Sequence, residues 1–531
     1  MNRGLPGVWL LLALCTALAC SDGSPPDEES PTLGHGSAAT APDHDRPSWT
    51  GAAPPGPGDG WHERGRAAVE RARSLTPSTG WAKNLILFLG DGMGISTVTA
   101  ARILQGQLRG EPGEENLLAF ERLPHVSLAK TYNTNQQIPD SAGTMTAIVT
   151  GSKTRAGMIS VDETVKRGDA AGVAQHRLRT LFEEAEWRGL ATGVVSTARI
   201  THATPASTYA HSPERGWEDD SKLSEAARRL DFPDIARQLL EFPAGNGLEV
   251  ALGGGRAAFL PGTTPDPEYP EKTGVRRDGR NLTEEWLKRS PGARYVWNAR
   301  DFAAIDPTET DSLLGLFEPS HMQFESDREQ DPAGEPSLAE MTRAAITQLS
   351  RAPKGYALMV EGGRIDHAHH YGNAQRALMD AVAFSDAVEA ALELASLDDT
   401  LVVVTADHSH VFTLAGYPSR GNPILGLVRE NDVHGEPSDK LGRDANGLPY
   451  TTLGYQNGPG HRGGKRPDLS QVDTTMPDFL QEAAVPLSSE THSGEDVPVY
   501  AGGPGSELFH GVQEQSYLYH AMVEALGWRE P

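Results

Sequence analysis

The sequence predicts an α/β fold: a central, mostly parallel sheet with helices on both faces, plus a loop-rich insertion late in the chain. Two observations predict it. Short continuous apolar runs, such as N-L-I-L-F-L-G at 84–90 and L-V-V-V-T at 401–405, lack the alternation of a half-exposed strand and read as strands buried on both faces. Four such runs end in Asp, Glu, His or Thr. Ligands of open α/β sheets bind at the carboxyl ends of the strands, so four such ends together point to one site.

With 531 residues, 38% of them hydrophobic, the chain can bury a large core and hold two or more domains. A formal charge of -25 offers no basic face for non-specific nucleic-acid binding. An anionic ligand would need strong local positive charge, and bound cations are the obvious source.

At the N-terminus, Asn2 and Arg3 precede an apolar stretch at 8–19 that is too short to span a bilayer. Ala17-Leu18-Ala19 forms a small-residue cleavage site, and Cys20 follows it, as in a bacterial lipoprotein processing site. Residues 1–20 are therefore expected to be a signal peptide. The mature chain would be exported and tethered in the periplasm or at the outer membrane through a lipidated Cys20, with secretion after cleavage at Ala19 as the alternative. The other cysteine, Cys15, lies in the removed segment, so no internal disulfide is expected. Residues 21–60, rich in Ser, Pro, Gly, Asp and Glu, read as a disordered tether.

Residues 61–75 carry charge and Ala at helical spacing, with Pro77 as a stop, and predict an amphipathic arm. Strand 84–90 leads into Asp91-Gly92-Met93-Gly94 and then a helix. In I-P-D-S-A-G-T at 138–144, Ser141 lies at or near a helix N-terminus, where it is either an N-cap or a nucleophile favoured by the helix dipole. No Gly-x-Ser-x-Gly elbow surrounds it, so activation by a metal ion is the better fit. The strand at 192–196 leads to His202 and Thr204, and a further strand lies at 248–252. Acidic residues follow in loops: Asp266 and Glu268, then Glu318 after Phe317, then Glu325, Asp327, Asp331 and Glu335. Asn281-Leu282-Thr283 is a glycosylation sequon read as incidental. The strand at 401–405 ends in Asp407 and His408; residues 421–486 read as the insertion; His492 reopens the chemistry; a last helix is expected at 514–526.

The densest stretch is M-V-E-G-G-R-I-D-H-A-H-H at 359–370. Two carboxylates and three imidazoles directly after a buried strand favour metal coordination. Asp366 and His370 stand four apart, so one helical turn puts them on one face, able to grip one ion.

Taken with D-G-M-G at Asp91, T-H-A-T-P-A at His202, Y-A-H-S-P-E-R-G-W at Arg215, T-A-D-H-S-H at Asp407 and E-T-H-S-G-E-D at His492, the chain resembles the alkaline phosphatases, closest to the animal-type branch, from about Trp61 to about Gly527. The resemblance implies a phosphomonoester hydrolase working through a phosphoserine on Ser141. It implies a first zinc on Asp366, His370 and His492, a second on Asp91, Asp407 and His408 beside Ser141, and magnesium on Asp91, Thr204 and Glu361 with His202 behind it. Arg215 would clamp phosphate, and His367 would stand behind the ligands. Calcium is implied at Glu268, Phe317, Glu318 and Glu335, with Asp331 a rival for the last place. The resemblance also implies a homodimer, a catalytic domain over 61–420 and 487–531, and a crown-like element at 421–486. Unlike animal members, this chain is expected to form no disulfide and to carry no C-terminal anchor signal. Two rival readings remain: a phosphodiesterase or sulfatase of the same superfamily, and a non-catalytic phosphate- or metal-binding surface protein.

Overall fold

The computed structural model describes residues 60–75 and 80–528. The predicted leader, Cys20 and nearly all of the tether lie outside them. Two units divide between Arg64 and Gly65. The arm is a helix, α1 (Gly60–Ser74), whose described side chains are exposed. Among the described residues no helix is long and apolar enough to cross a membrane.

The second unit is organised on a ten-stranded sheet. Its strands are β1 (Asn84–Gly90), β2 (His125–Lys130), β3 (Ala191–Arg199), β4 (Val250–Gly254), β5 (Ala293–Val296), β6 (Ser312–Leu316), β7 (Tyr356–Gly362), β8 (Thr400–Ala406), β9 (Val497–Gly502) and β10 (Gly511–Glu514). They lie in the order β10-β2-β9-β8-β1-β7-β3-β4-β6-β5, and only β9 runs against the rest. The central strands β1, β7 and β8 are buried at every residue, as expected where helices cover both faces.

Those helices are α2 (Ile95–Leu108), α3 (Ser141–Thr150), α4 (Leu181–Arg188), α5 (Ala203–Tyr209), α6 (Leu338–Leu349), α7 (Arg364–His370), α8 (Ala374–Leu394) and α9 (Tyr517–Ala525). α8 packs with α2 and α6, while α3 packs with α4, α5 and α9. Phe384 of α8 anchors the core beneath the site, edge-on to Phe88 of β1 at 5.8 Å and to Phe120 at 6.0 Å. Such pairs add about 1 kcal/mol each beyond their buried area.

The 421–486 segment holds a two-stranded ribbon, Arg429–Asn431 with Pro437–Leu441, and contributes Leu453–Gly458 and Ala483–Pro486 to a small three-stranded sheet with Phe412–Leu414. Asn281 of the sequon caps a helix through its side chain, and its Thr283 is buried.

At the amino end of β3, away from the acid-rich strand ends, Glu186 and Glu249 share the same two partners. Glu186 accepts from the Thr192 hydroxyl at 2.6 Å and the Asn246 N–H at 3.2 Å. Glu249 accepts from the Thr192 N–H and the Asn246 amide, both at 2.7 Å. Burial, then repulsion from Glu249, pushes Glu186 up from 4.5 to about 8. Folding thus favours the protonated carboxyl, so this pair lowers stability progressively as pH rises from the ordinary glutamate range through about 8. Glu186→Gln should shrink the drop in Tm between about pH 6 and about pH 9 by a few degrees. An unchanged drop in thermal melts would remove the pair as a source of alkaline instability.

Candidate active site

Strand register assembles the site. In the sheet, β8, β1, β7 and β3 are consecutive and parallel. Gly90 lies opposite Ala406 and Gly362, so Asp91 and Asp407 leave neighbouring strand ends side by side. Glu361 lies between Leu89 and Ser196. The turns after these ends carry α7, with Asp366 and His370, and α5, with Thr204.

Ser141 is the first residue of α3, and Asp140, not Ser141, is its N-cap. Asp140 Oδ1 accepts from Gly143 N at 3.1 Å and Asn133 Nδ2 at 3.0 Å, while Oδ2 accepts from Gly157 N at 2.9 Å and Arg215 Nη1 at 3.0 Å. A Cβ on Gly143 would lie 2.6 Å from Asn133 Oδ1, so only glycine lets these groups meet. Relieved of capping, the Ser141 hydroxyl sits 3.1 Å from His408 Nε2. Arg215 Nη2 lies 3.2 Å from His202 Nε2.

His370 Nδ1 donates to the Glu490 carbonyl at 2.6 Å, and His492 Nδ1 donates to the Pro139 carbonyl at 2.8 Å. Those partners take the Nδ1 proton of each ring in a hydrogen bond and leave Nε2 facing the other ligand atoms. The two Nε2 atoms are 3.1 Å apart, and each is 3.4 Å from Asp366 Oδ1. Three lone-pair donors facing one another repel unless a cation lies among them, so mixed nitrogen and oxygen ligands of this kind fit zinc. Burial, helped by His492 and His410, lowers His370 to about 4, which keeps it neutral and able to ligate.

Next to this set, stacked through His408 and His492 rings at 3.6 Å, lies a second. His408 Nε2 is 3.3 Å from Asp407 Oδ2 and 3.5 Å from Asp91 Oδ1. Both Asp91 oxygens are buried with no hydrogen bond of normal geometry, as are Thr204 Oγ1, Glu361 Oε1, His202 Nδ1 and His408 Nδ1. Ligand atoms of Asp91, Asp407 and His408, and of Asp91, His202 and Glu361, converge within 4.8 Å. Burial, then neighbouring carboxylates, pushes Asp91 well above its ordinary range. Burial likewise raises Glu361, to about 8, against its bond from Ser196. Buried carboxylates with idle oxygens could hold a hard cation such as magnesium.

His367 joins neither set: its ring packs 4.0 Å from that of His321 and 5.5 Å from that of His202. His369 is held by the hydroxyls of Thr97 at 3.0 Å and Tyr455 at 2.8 Å.

The acidic loops make a separate cluster. Glu268, Glu318 and Asp331 converge within 4.8 Å, and Glu268 also meets buried Arg256 at 2.9 Å. Glu335 is not in that group: its Oε1 accepts from Gln323 N at 2.9 Å, its Oε2 is buried without a partner, and burial with Glu318 and Asp331 raises it to about 9. Phe317, at the end of β6, is fully buried. Glu325 and Asp327 are engaged elsewhere, with Arg328 and Arg376.

Sequence reasoning gave no role to Asp140, His321, His410 or Glu490. Asp140 is adjacent to the candidate nucleophile, and D-S before a small-residue helix was the available signal. His410 bridges Asp366 at 2.8 Å and Glu490 at 2.5 Å. Burial opposes its charge, but Glu490 and Asp366 outweigh burial and raise it to about 10. His410 and Glu490 stood in motifs already read, closing T-A-D-H-S-H and opening E-T-H-S-G-E-D, whereas His321 carried no spacing signal.

The family model for alkaline phosphatase matches residues 82–528. The tissue-nonspecific alkaline phosphatase isozyme of Gallus gallus is 48% identical over 453 residues, covering 84% of this chain and 84% of that protein. Its Homo sapiens counterpart is 43% identical over 474 residues, covering 88% of each. The crystal structure of Thermus thermophilus alkaline phosphatase matches with a TM-score of 0.61 at 25% identity, over 86% of this chain and 94% of that one. With the family matched across almost the whole described unit, and relatives above two-fifths identity over most of both lengths, the chain belongs to the alkaline phosphatase family.

Proposed function

We propose that this chain is a metal-dependent phosphomonoester hydrolase that forms a phosphoserine on Ser141. The observation that carries the reading is the meeting of His370 Nε2, His492 Nε2 and Asp366 Oδ1 as lone-pair donors beside His408, which stacks on His492 at 3.6 Å and lies 3.1 Å from the Ser141 hydroxyl. In this reading Asp366, His370 and His492 would hold one zinc ion. Asp91, Asp407 and His408 would hold a second. Asp91, Thr204 and Glu361 would hold magnesium, with His202 behind it. Glu268, Glu318 and Asp331, with Phe317 contributing its carbonyl and Glu335 beside them, would take calcium. Bound there, the cations supply positive charge to the serine oxygen, the phosphoryl oxygens and the departing oxygen.

The chain's own residues do the rest. Ser141 Oγ attacks phosphorus as the ester P–O bond breaks and the alcohol leaves. Water then takes the phosphoryl group from Ser141, releasing inorganic phosphate and restoring the hydroxyl. The N-terminus of α3 favours the negative charge gathered at Ser141. Arg215, held by Asp140 through one Nη1 bond, offers its remaining N–H groups to phosphoryl oxygens. A metal-free serine–histidine mechanism fits less well, because a general-base histidine needs a partner orienting its other nitrogen, and His408 Nδ1 has none. A homodimer through residues 421–486, export, and lipid attachment at Cys20 complete the proposal.

Ser141→Ala should lower turnover of an aryl phosphate by at least about a thousandfold while metal content per chain stays at the wild-type level. Turnover unchanged by that substitution would exclude Ser141 as the nucleophile. Arg215→Lys should raise KM about tenfold with a smaller change in kcat, since an ammonium cannot reproduce the fork; steady-state kinetics that match wild type would exclude the clamp. Chelation should abolish activity and added zinc with magnesium should restore it, with monoester hydrolysis dominating. Dominant cleavage of a diester or sulfate ester would favour the rival enzyme classes.

A further inference from the structure

Glu490 touches the first candidate metal set by two independent routes. Its main chain clasps His370: the Glu490 N–H donates to the His370 carbonyl at 2.9 Å, and the Glu490 carbonyl accepts from His370 Nδ1 at 2.6 Å. Its side chain reaches Asp366 through His410. Glu490 Oε2 accepts from His410 Nδ1 at 2.5 Å, and His410 Nε2 donates to Asp366 Oδ1 at 2.8 Å. Glu490 also stands two residues before His492, which pairs with His410 across a short antiparallel bridge.

The glutamate is itself immobilised. It is 1% exposed, and its other oxygen accepts from Val411 N at 2.8 Å. Gly458, at φ +136, passes so close that an added Cβ would meet Glu490 Cβ at 3.1 Å. The following loop is pinned by Asn457, which accepts from Thr491 N at 3.1 Å and donates to the Thr491 hydroxyl at 2.9 Å. A buried carboxylate that only filled space would not need an imidazole on one oxygen and a backbone donor on the other.

We propose that Glu490 is the positioning residue of the first metal site, fixing the aim of Asp366 through His410 and of His370 through its own backbone. The proposal rests on the reading that Asp366, His370 and His492 hold a zinc ion. Partners behind metal ligands commonly alter affinity by about 10–100-fold when removed, because ligands left free to rotate no longer meet the ion together. Glu490→Gln keeps size and backbone contacts but removes the anion that accepts from His410.

The test dialyses the loaded full-length protein and its variants against graded chelator and counts zinc and magnesium retained per chain. For Glu490→Gln we expect half of the zinc to leave at a chelator concentration about tenfold or more below wild type, with the remaining zinc and the thermal melt close to wild type. Excess zinc should restore kcat. Glu490→Asp, which keeps the charge but draws it back by one methylene, should fall between the two and serves if the glutamine variant fails to fold. Chelator curves that superpose on wild type, or loss of all metals together with a collapsed melt in both variants, would overturn the positioning role. A wild-type protein that binds no zinc would instead overturn the metal reading beneath it.

Discussion

The structure depends on one electrostatic constraint: Asp91 is wholly buried at the end of the central strand, and neither of its oxygens has a hydrogen-bond partner of normal geometry. An isolated buried carboxylate is strongly disfavoured. Asp407 and Glu361 lie close by and add repulsion instead of relief. The arrangement survives because strand pairing sets these residues in place. β1 is clamped in parallel register between β7 and β8, with every residue of all three strands buried, so the acids cannot swing out to water without unzipping the core. The stability of the sheet offsets a local arrangement that the side chains alone would abandon, which is the usual relation between a rigid scaffold and a preorganised site.

Asp140 plays the complementary part at the head of α3. One carboxylate satisfies the head of α3, Asn133, the Gly157 backbone and Arg215. Capping and the anchoring of Arg215 are thereby coupled. The residue that frees the Ser141 hydroxyl also holds the Arg215 guanidinium, so the candidate nucleophile and the arginine are tied to one carboxylate even though they lie on different segments. The two carboxylate systems do opposite work: the acids of the strand ends leave oxygens idle, whereas Asp140 leaves none.

Much of this was legible in the sequence because strand burial and strand-end chemistry are local signals. The run at 84–90 coincides with β1, those at 192–196 and 401–405 fall inside β3 and β8, with β3 running on to Arg199, and the four reactive ends do meet at one edge. Spacing also placed Asp366 and His370 on one turn of α7. The capping of α3 was less legible, since Asp and Ser both cap well and only the fold decides which does. Glu490 and His321 were illegible for a different reason. Their roles arise from contacts across more than fifty residues of chain, from Glu490 to His410 and from His321 to Arg199, and no periodicity encodes such contacts. The acidic loop shows the same limit: Asp331 follows a short turn at Arg328–Gln330 that brings it to Glu268 and Glu318, while Glu335 is drawn to Gln323.

Net charge poses the remaining question, because a chain of -25 must admit phosphate. Two of its buried arginines do not solve the problem. Arg256 is saturated by Asp266 and Glu268, and Arg276 by Asp234 and Asp278, so both are structural cross-links with little field to spare. Arg215 differs: it has one carboxylate partner, is about a quarter exposed at 24%, and shares its other amino group only with a neutral imidazole that burial and the arginine itself keep uncharged. One arginine cannot balance the acids of the strand ends plus an incoming phosphate. In the proposed reading, attraction for the substrate would come from cations held by those same acids, whose negative charge would concentrate positive charge in the site. Burial of the acids and the local reversal of sign they would allow thus share one origin in the register of the central strands.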